Sequence, residues 1–105
     1  MATEIHVEKD DHGDGRYSLL VDGKPAGEIE FRMSEGRRVF THTGIRDEFE
    51  GQGLAGKIAR RALDDSRADD VLVIPQCPYI ESYIERHPDD GDLIDRAYWD
   101  ELRGR

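Results

Sequence analysis

The sequence predicts an α/β (α+β) domain in which an antiparallel meander is followed by a β-α-β crossover and C-terminal helices. Three observations support this prediction. Apolar residues alternate along the first half of the chain, recur at helical spacing after Gly53, and then form one short continuous run. A helix between two strands is the usual connection when a parallel strand is added to a sheet.

The first half of the chain reads as four short strands, each ended by residues that favour turns. They are predicted over residues 4–8, 17–21, 26–33 and 38–45. The second and third are separated by Asp22-Gly23, a dipeptide typical of tight hairpins because both positions tolerate positive φ. We therefore expect these strands to pair in sequence order.

The second half is predicted to alternate helices with a single strand. Residues 53–67 have the apolar spacing of a helix, and the apolar run 71–74 is expected to be a strand covered on both faces. A second helix is predicted to begin at Pro78 and to stop at Pro88, followed by a last amphipathic helix over 93–102.

Length and composition limit the classes of protein that the chain can represent. A chain of 105 residues predicts one domain over residues 1–105. The formal net charge of −9 disfavours nucleic acid as a partner, because phosphate contacts need clustered Lys and Arg. No apolar run approaches the roughly 20 residues needed to cross a bilayer, so we expect no membrane association. The single cysteine, Cys77, excludes an internal disulfide and fits a cytoplasmic location.

A glycine-rich segment lies where the fourth strand leads into the first helix. It reads Gly51-Gln52-Gly53-Leu54-Ala55-Gly56 and is called the glycine loop below. The first N–H groups of a helix have no intrahelical acceptors, and glycines let an anion approach them closely. The segment therefore predicts a pyrophosphate-binding loop, although a simple turn with a close helix contact would use the same glycines.

Two common nucleotide motifs do not explain the glycine loop. Its spacing matches G-x-G-x-x-G, but that fingerprint belongs to a first β-α-β unit, whereas four strands precede it here. A P-loop would need Ser or Thr after Gly56-Lys57, where this chain has Ile58.

The whole set of motifs resembles the GNAT superfamily of acetyl-CoA-dependent N-acetyltransferases. The superfamily pattern Q/R-x-x-G-x-G/A falls on residues 50–55, with Glu50 in place of Gln or Arg. The similarity is greatest to a minimal single-domain subgroup and covers about 5–93. It rests on Thr41-His42-Thr43, Glu50-Gly51-Gln52-Gly53-Leu54-Ala55, Ile74-Pro75-Gln76-Cys77-Pro78-Tyr79 and Tyr83-Ile84-Glu85-Arg86-His87-Pro88.

The resemblance implies a GNAT-like mixed sheet and acetyl-CoA or CoA as co-substrate. The implied cofactor-binding residues lie at the end of strand four, in the glycine loop and beside it: Thr43, Gly44, Ile45, Arg46, Gly51, Gln52, Gly53, Leu54, Ala55, Gly56, Lys57, Cys77 and Tyr83. Arg60 and Arg61 are further candidates for a CoA phosphate, unless they pair with Asp64 and Asp65. One departure is notable, because Gly44 stands where an acidic residue is expected in the subgroup.

Three residues are candidates for catalysis. Cys77 would lie at the start of the second helix, where the helix dipole favours a thiolate that could accept the acetyl group. It could equally be a small buried residue beside a site where the amine attacks directly. Tyr79 is the second, for protonating the CoA thiolate; Tyr83 is an alternative for the same role, although core packing would also explain it.

His42 is the third candidate, as a proton acceptor, although alternation along its strand leaves open which face it occupies. None of the four histidines is spaced as a metal ligand with Cys77, so we expect no metal.

The function predicted from these motifs is transfer of an acetyl group to an amine, of a small molecule or a protein lysine. Two alternatives remain: a non-catalytic CoA or acyl-CoA-binding module, and an interaction domain that uses Tyr98 and Trp99. A monomer or weak homodimer is expected.

Overall fold

The structure, a computed structural model, describes residues 2–104 and contains one five-stranded sheet with helices against it. The strands are β1 (Thr3–Lys9), β2 (Gly15–Val21), β3 (Lys24–Ser34), β4 (Arg37–Ile45) and β5 (Leu72–Pro75). The helices are α1 (Leu54–Ala68), α2 (Pro78–Arg86) and α3 (Arg96–Arg103). Two 3₁₀ turns lie at Asp47–Phe49 and Pro88–Leu93.

The strand order is β1-β2-β3-β4-β5, which confirms the predicted mixed sheet. The first four strands pair antiparallel, and β5 pairs parallel to β4 after the chain has passed through α1. The meander and the single β-α-β unit are therefore both present. Within the described residues, no helix is long and apolar enough to span a bilayer.

The two faces of the sheet differ in what covers them. Alternate residues of β2 and β3, such as Tyr17, Leu19 and Ile29, are at most 1% exposed and form a core with Ile58 and other apolar residues of α1. The intervening residues of the same strands are polar for the most part and remain partly exposed. We call their side of β2 and β3 the open face, because α1 packs against the other side.

The β4 strand is irregular at Thr41. Phe40 lies opposite Phe31 and His42 lies opposite Glu30, so Thr41 has no residue across from it and forms a β-bulge. Bulges often occur beside functional sites because they redirect the side chains that follow.

The β4–β5 pairing ends close to this bulge. It runs from Arg37 to Phe40 on β4, and residues 41–45 continue without a β5 partner. The last backbone hydrogen bond between the two sides runs from the Cys77 N–H to the Phe40 carbonyl, at 2.8 Å. Beyond it the two strands separate, and we call this opening the β4–β5 gap.

The second half confirms two sequence-based expectations and corrects a third. The run at 71–74 forms β5, an edge strand, and Val73 and Ile74, whose side chains point to opposite faces, are both 0% exposed, so the strand is covered on both faces although Leu72 is 43% exposed. The second helix ends at Arg86, before Pro88, as predicted, and Pro88 begins the 3₁₀ turn because proline suits the first turn of a helix. The last helix consequently starts at Arg96, where Asp95 caps it by accepting from the Tyr98 N–H, and not at residue 93.

A buried carboxylate fastens the 3₁₀ turn Pro88–Leu93 to α1. Asp90 is 4% exposed and accepts two hydrogen bonds of 2.7 Å from the guanidinium of Arg60. These bonds, with a further contribution from Arg67, lower the pKa of Asp90 below its ordinary value. Two parallel hydrogen bonds from one guanidinium offset the free-energy cost of removing the carboxylate from water.

Candidate functional site

The N-terminus of α1 has no side-chain cap and no acidic residue in its first turn. Its N-cap is Gly53, and the first intrahelical bond runs from the Lys57 N–H to the Gly53 carbonyl at 3.4 Å. The N–H groups of Leu54, Ala55 and Gly56 therefore come before the first donor and have no acceptor within the helix. Together with the helix dipole they make this end of α1 attractive to an anion.

The backbone of the glycine loop explains why glycine stands at two of its positions. Gly51 has φ +81° and Gly53 has φ +73°, conformations that other residues adopt only with strain. A Cβ atom at either position would meet nothing within 4 Å, so both lie beside open space. The loop is thus shaped to let a ligand approach its backbone.

The glycine loop and α2 border a continuous cleft. Its two adjoining hollows share Gly53, Gly56 and Tyr79. The remaining lining residues come from the end of β4, the loop, α1 and α2: Ile45, Phe49, Glu50, Gly51, Leu54, Ala55, Lys57, Arg60, Tyr83, Arg86 and His87. Most of the predicted cofactor-binding residues are therefore brought together.

The basic residues beside the cleft differ in how far their charge is already engaged. Arg60 is held by Asp64 and Asp90, and Arg61 pairs with Asp65, so the alternative of intrahelical pairing is the observed one for both. Lys57 is exposed and has no ion pair among the described residues. It is therefore better placed than either arginine to meet a phosphate.

Arg46 lies apart from this cleft. Its side chain lines a separate hollow together with Glu28, Leu20 and Pro25. Its backbone N–H donates to the Ala26 carbonyl at 2.8 Å, which continues the β3–β4 pairing beyond Ile45. The predicted contact between Arg46 and a pyrophosphate therefore stays a prediction, without support from the lining of the cleft.

Cys77 lies at the β4–β5 gap and is the N-cap residue of α2. Its side chain is 4% exposed, and its thiol donates to the hydroxyl oxygen of Thr43 at 3.2 Å. The N–H and C=O groups of successive strand residues point alternately to the two neighbouring strands. Since the N–H group of Arg46 points to β3, the backbone groups of Thr43 and Ile45 point toward the gap. Cys77 and Thr43 therefore connect the two sides of the opening.

Tyr79 and Tyr83 lie one turn apart on the face of α2 that borders the cleft. Tyr79 is half-buried, whereas Tyr83 is 6% exposed and stacks on the His87 ring with centroids 4.0 Å apart. Nδ1 of His87 lies 2.8 Å from the Tyr83 carbonyl, an acceptor, so Nδ1 carries the proton. His87 thus buttresses Tyr83, and Tyr79 is the more accessible hydroxyl.

His42 points to the open face and not toward α1. It lies opposite Glu30, and its Nε2 is 3.7 Å from a carboxylate oxygen of Glu28. Thr43, the next residue, lies opposite buried Ile29 and contacts Cys77 from the helix side. The three catalytic candidates are therefore divided, with Cys77 and Tyr79 on the helix side of the gap and His42 on the other.

Sequence reasoning missed three residues near these positions. Arg86 lies seven residues after Tyr79 and three after Tyr83, so the helical period could have identified it. Phe49 borders the cleft from a 3₁₀ turn, and a turn of that length is too short to give a recognisable repeat of apolar residues in the sequence. Glu28 reaches His42 from the neighbouring strand, and only the pairing register shows that proximity.

Solved structures define the class of protein to which this fold belongs. A GCN5-like protein from Staphylococcus aureus superposes with a TM-score of 0.64 at 19% identity, over 85% of this chain and 86% of that one. A ribosomal-protein-alanine N-acetyltransferase from Brucella melitensis superposes with a TM-score of 0.59 at 17% identity, over 81% and 90%. Both share the fold described above, which is that of GNAT acetyltransferases.

Sequence comparison gives the family. The profile of the GCN5-related N-acetyl-transferase family matches residues 16–93, about three quarters of the chain, and the chain belongs to that family. Protein NATD1 of Mus musculus is 27% identical over 75 residues, which cover 70% of this chain and 68% of that protein. The predicted class of enzyme, an N-acetyltransferase, is thereby confirmed.

Proposed function

We propose that the protein binds acetyl-CoA through the glycine loop and transfers the acetyl group to a primary amine. The observation that supports this most directly is the N-terminus of α1, which lacks both a side-chain cap and an acidic residue. Free N–H groups at a helix start commonly bind a diphosphate.

The residues that line the cleft suit the charge pattern of CoA. The diphosphate would lie on the N–H groups that follow Gly53, with Lys57 supplying a neighbouring positive charge and Arg86 lining the far side. The pantetheine arm would then pass Ile45 and Tyr79 toward the β4–β5 gap. Backbone groups of Thr43 and Ile45 that point into the gap offer it strand-like hydrogen bonds.

The chemistry that we assign to the gap is direct acyl transfer. The lone pair of the amine attacks the thioester carbonyl, and the C–S bond breaks as the new C–N bond forms. The sulfur leaves as a thiolate and receives a proton from the Tyr79 hydroxyl, while the amine nitrogen loses a proton on the open side of the sheet. The Tyr79 phenolate then regains a proton from solvent, which closes the cycle. Holding the reactants in this geometry supplies much of the rate.

Cys77 is assigned a lining role in this proposal and not that of a covalent carrier. It is almost fully buried, and its thiol hydrogen is already directed at Thr43. A nucleophile that forms an acetyl-enzyme needs open access to the thioester carbon and a base to remove its proton. Direct attack by the amine requires neither.

Turnover of acetyl-CoA with a panel of primary amines tests the proposal. CoA thiol release should depend on the amine, and Tyr79→Phe should lower kcat by about a hundredfold, the lower range for loss of a general acid. Tyr98→Phe is the matched control, because Tyr98 lies under Arg37 on α3, outside the cleft. Acetyl-CoA binding without amine-dependent thiol release would instead support a non-catalytic CoA-binding module.

A further inference from the structure

The absence of a side chain at Gly44 creates a notch on the open face of the sheet. Glu28 of β3 lies directly opposite Gly44, and Glu30 lies opposite His42. A Cβ atom added at Gly44 would be 3.1 Å from Nε2 of His42 and 3.4 Å from Oε2 of Glu28. The two side chains therefore lean over Gly44 and occupy the space that a larger residue would take.

This arrangement accounts for the missing acidic residue at position 44. Cross-strand partners project from the same face, so Glu28 brings a carboxylate to the place where a side chain of residue 44 would lie. The His42–Glu28 separation of 3.7 Å joins that carboxylate to an imidazole. Both side chains stay accessible, with 51% of His42 and 37% of Glu28 exposed.

The notch lies beside the β4–β5 gap. Residues 42 and 44 belong to the part of β4 that has no β5 partner, and Thr43 between them contacts Cys77 on the helix side. An amine that approaches from the open face would reach the gap over Gly44. A thioester that enters from the cleft would reach it from the opposite side.

The surroundings of the notch favour a cation with an aliphatic stem. Glu28 also lines the adjoining hollow with Leu20 and Pro25, and Arg46 borders the same hollow. Glu30, the other carboxylate that faces His42, is 3.9 Å from Arg16, so its charge is partly engaged. Glu28 is therefore the carboxylate more available to an ammonium group.

We propose that Glu28 and His42 form the acceptor-binding site for the acetyl transfer proposed above, and that the acceptor is a primary alkylammonium group. Glu28 holds the ammonium, and His42 takes one N–H proton and passes it to solvent, which leaves the nitrogen with the lone pair that attacks the thioester carbonyl. As the C–S bond breaks, the neutral imidazole takes a second proton from the nitrogen, which is left as the amide N–H. The aliphatic stem of the acceptor lies over Leu20 and Pro25.

The test compares two solvent-accessible glutamates, one at the notch and one in a distant turn, whose replacement by glutamine removes the same charge. Glu28→Gln should raise the KM for the amine at least about tenfold, corresponding to one lost charged hydrogen bond. The dissociation constant for acetyl-CoA should not change. The control is Glu35→Gln, since Glu35 lies in the β3–β4 turn, outside the hollow that Glu28 lines, and pairs with Arg37 at 3.2 Å. It should leave both quantities unchanged.

A second readout does not depend on turnover. With CoA present, titration of Nα-acetyl-lysine amide or of a linear diamine should shift the His42 ring resonances in the wild type and shift them much less in Glu28→Gln. The probe that saturates the shift at the lower concentration shows whether the acceptor resembles lysine or a polyamine. Equal KM values in the two glutamate variants, or His42 resonances that no amine shifts, would overturn the inference. Undisturbed acetyl-CoA binding at the glycine loop in that case would leave the proposed function intact.

Discussion

At the scale of single residues, the phosphate-binding proposal depends on glycine at Gly53. Its φ of +73° places it in the left-handed region, and its missing Cβ opens the start of α1. Gly36, in the β3–β4 turn, has φ +80° and equally open surroundings but lies far from the cleft along the chain. The two glycines have the same backbone requirement and different proposed roles.

This pair gives a first prediction. Gly53→Ala and Gly36→Ala should each cost roughly 1 kcal/mol of unfolding free energy, because alanine is strained at positive φ. Only Gly53→Ala should also weaken acetyl-CoA binding, by about tenfold or more, since its methyl group projects beside the N–H groups. Calorimetry and denaturant unfolding measure the two effects. Equal acetyl-CoA affinities in both variants would mean that the loop is only a turn.

Cys77 provides a second prediction at this scale. Cys77→Ala should reduce kcat by less than about tenfold, because loss of a covalent nucleophile typically costs several orders of magnitude. Intact-protein mass spectrometry of the wild type after brief exposure to acetyl-CoA should show no added acetyl group on Cys77. A stoichiometric acetyl adduct that disappears when an amine is added would contradict direct transfer.

At the scale of elements, Asp90 shows how a surface turn is fixed to the helix that carries the site. The Arg60 guanidinium that binds it also borders the cleft. Removing the carboxylate would leave the turn Pro88–Leu93 attached to α1 through exposed contacts such as Arg67–Asp92, and Arg60 paired with exposed Asp64. The turn thus stabilises one wall of the cleft.

The third prediction concerns this contact. Asp90→Asn should lower the unfolding free energy by about 2 kcal/mol, because it breaks a buried charged pair. Asp64→Asn, which removes the exposed partner of the same arginine, should cost less than about 0.5 kcal/mol. Urea unfolding of both variants measures the difference. Equal losses would show that burial of Asp90 contributes nothing.

The sign of the pH dependence follows from the lowered pKa of Asp90. Its ionised form is favoured in the folded state, so its contribution is present above the ordinary pKa of an aspartate and is lost as pH falls below about 4. The wild type should therefore lose stability more steeply in acid than Asp90→Asn does. Parallel acid curves for the two proteins would contradict this account.

The elements also show what the sequence could predict. The strands and α1 were predictable because their apolar residues repeat with periods of two and 3.6, which depend only on local geometry. The bulge at Thr41 was not, since a bulge is defined by the partner strand. The face occupied by His42 depends on that bulge and on the register with β3, so the amino-acid pattern alone left it open.

At the scale of the whole molecule, the sheet separates two surfaces of different chemistry. The cleft on the helix side offers free N–H groups and Lys57 to an anion, whereas the open face carries carboxylates such as Glu28. Only the β4–β5 gap connects them in the proposed reaction. The net charge of −9 also attracts cationic acceptors to the molecule from a distance.

The fourth prediction follows from this charge. The KM for a linear diamine should rise with added salt, and should rise more than the KM for a monoamine of equal length, because screening weakens attraction of the second charge as well. Steady-state kinetics between low and physiological ionic strength measure both. Identical salt dependence for the two amines would exclude long-range attraction by the acidic surface.

The central claim is that backbone N–H groups at the start of α1 bind the diphosphate of CoA, and an amide-shift titration tests it most directly. Addition of acetyl-CoA should move the resonances of residues 51–56 most, with a second group of changes at Thr43 and Cys77. Resonances of the β3–β4 turn around Gly36 should stay in place. Saturating acetyl-CoA that leaves residues 51–56 unmoved would contradict the account.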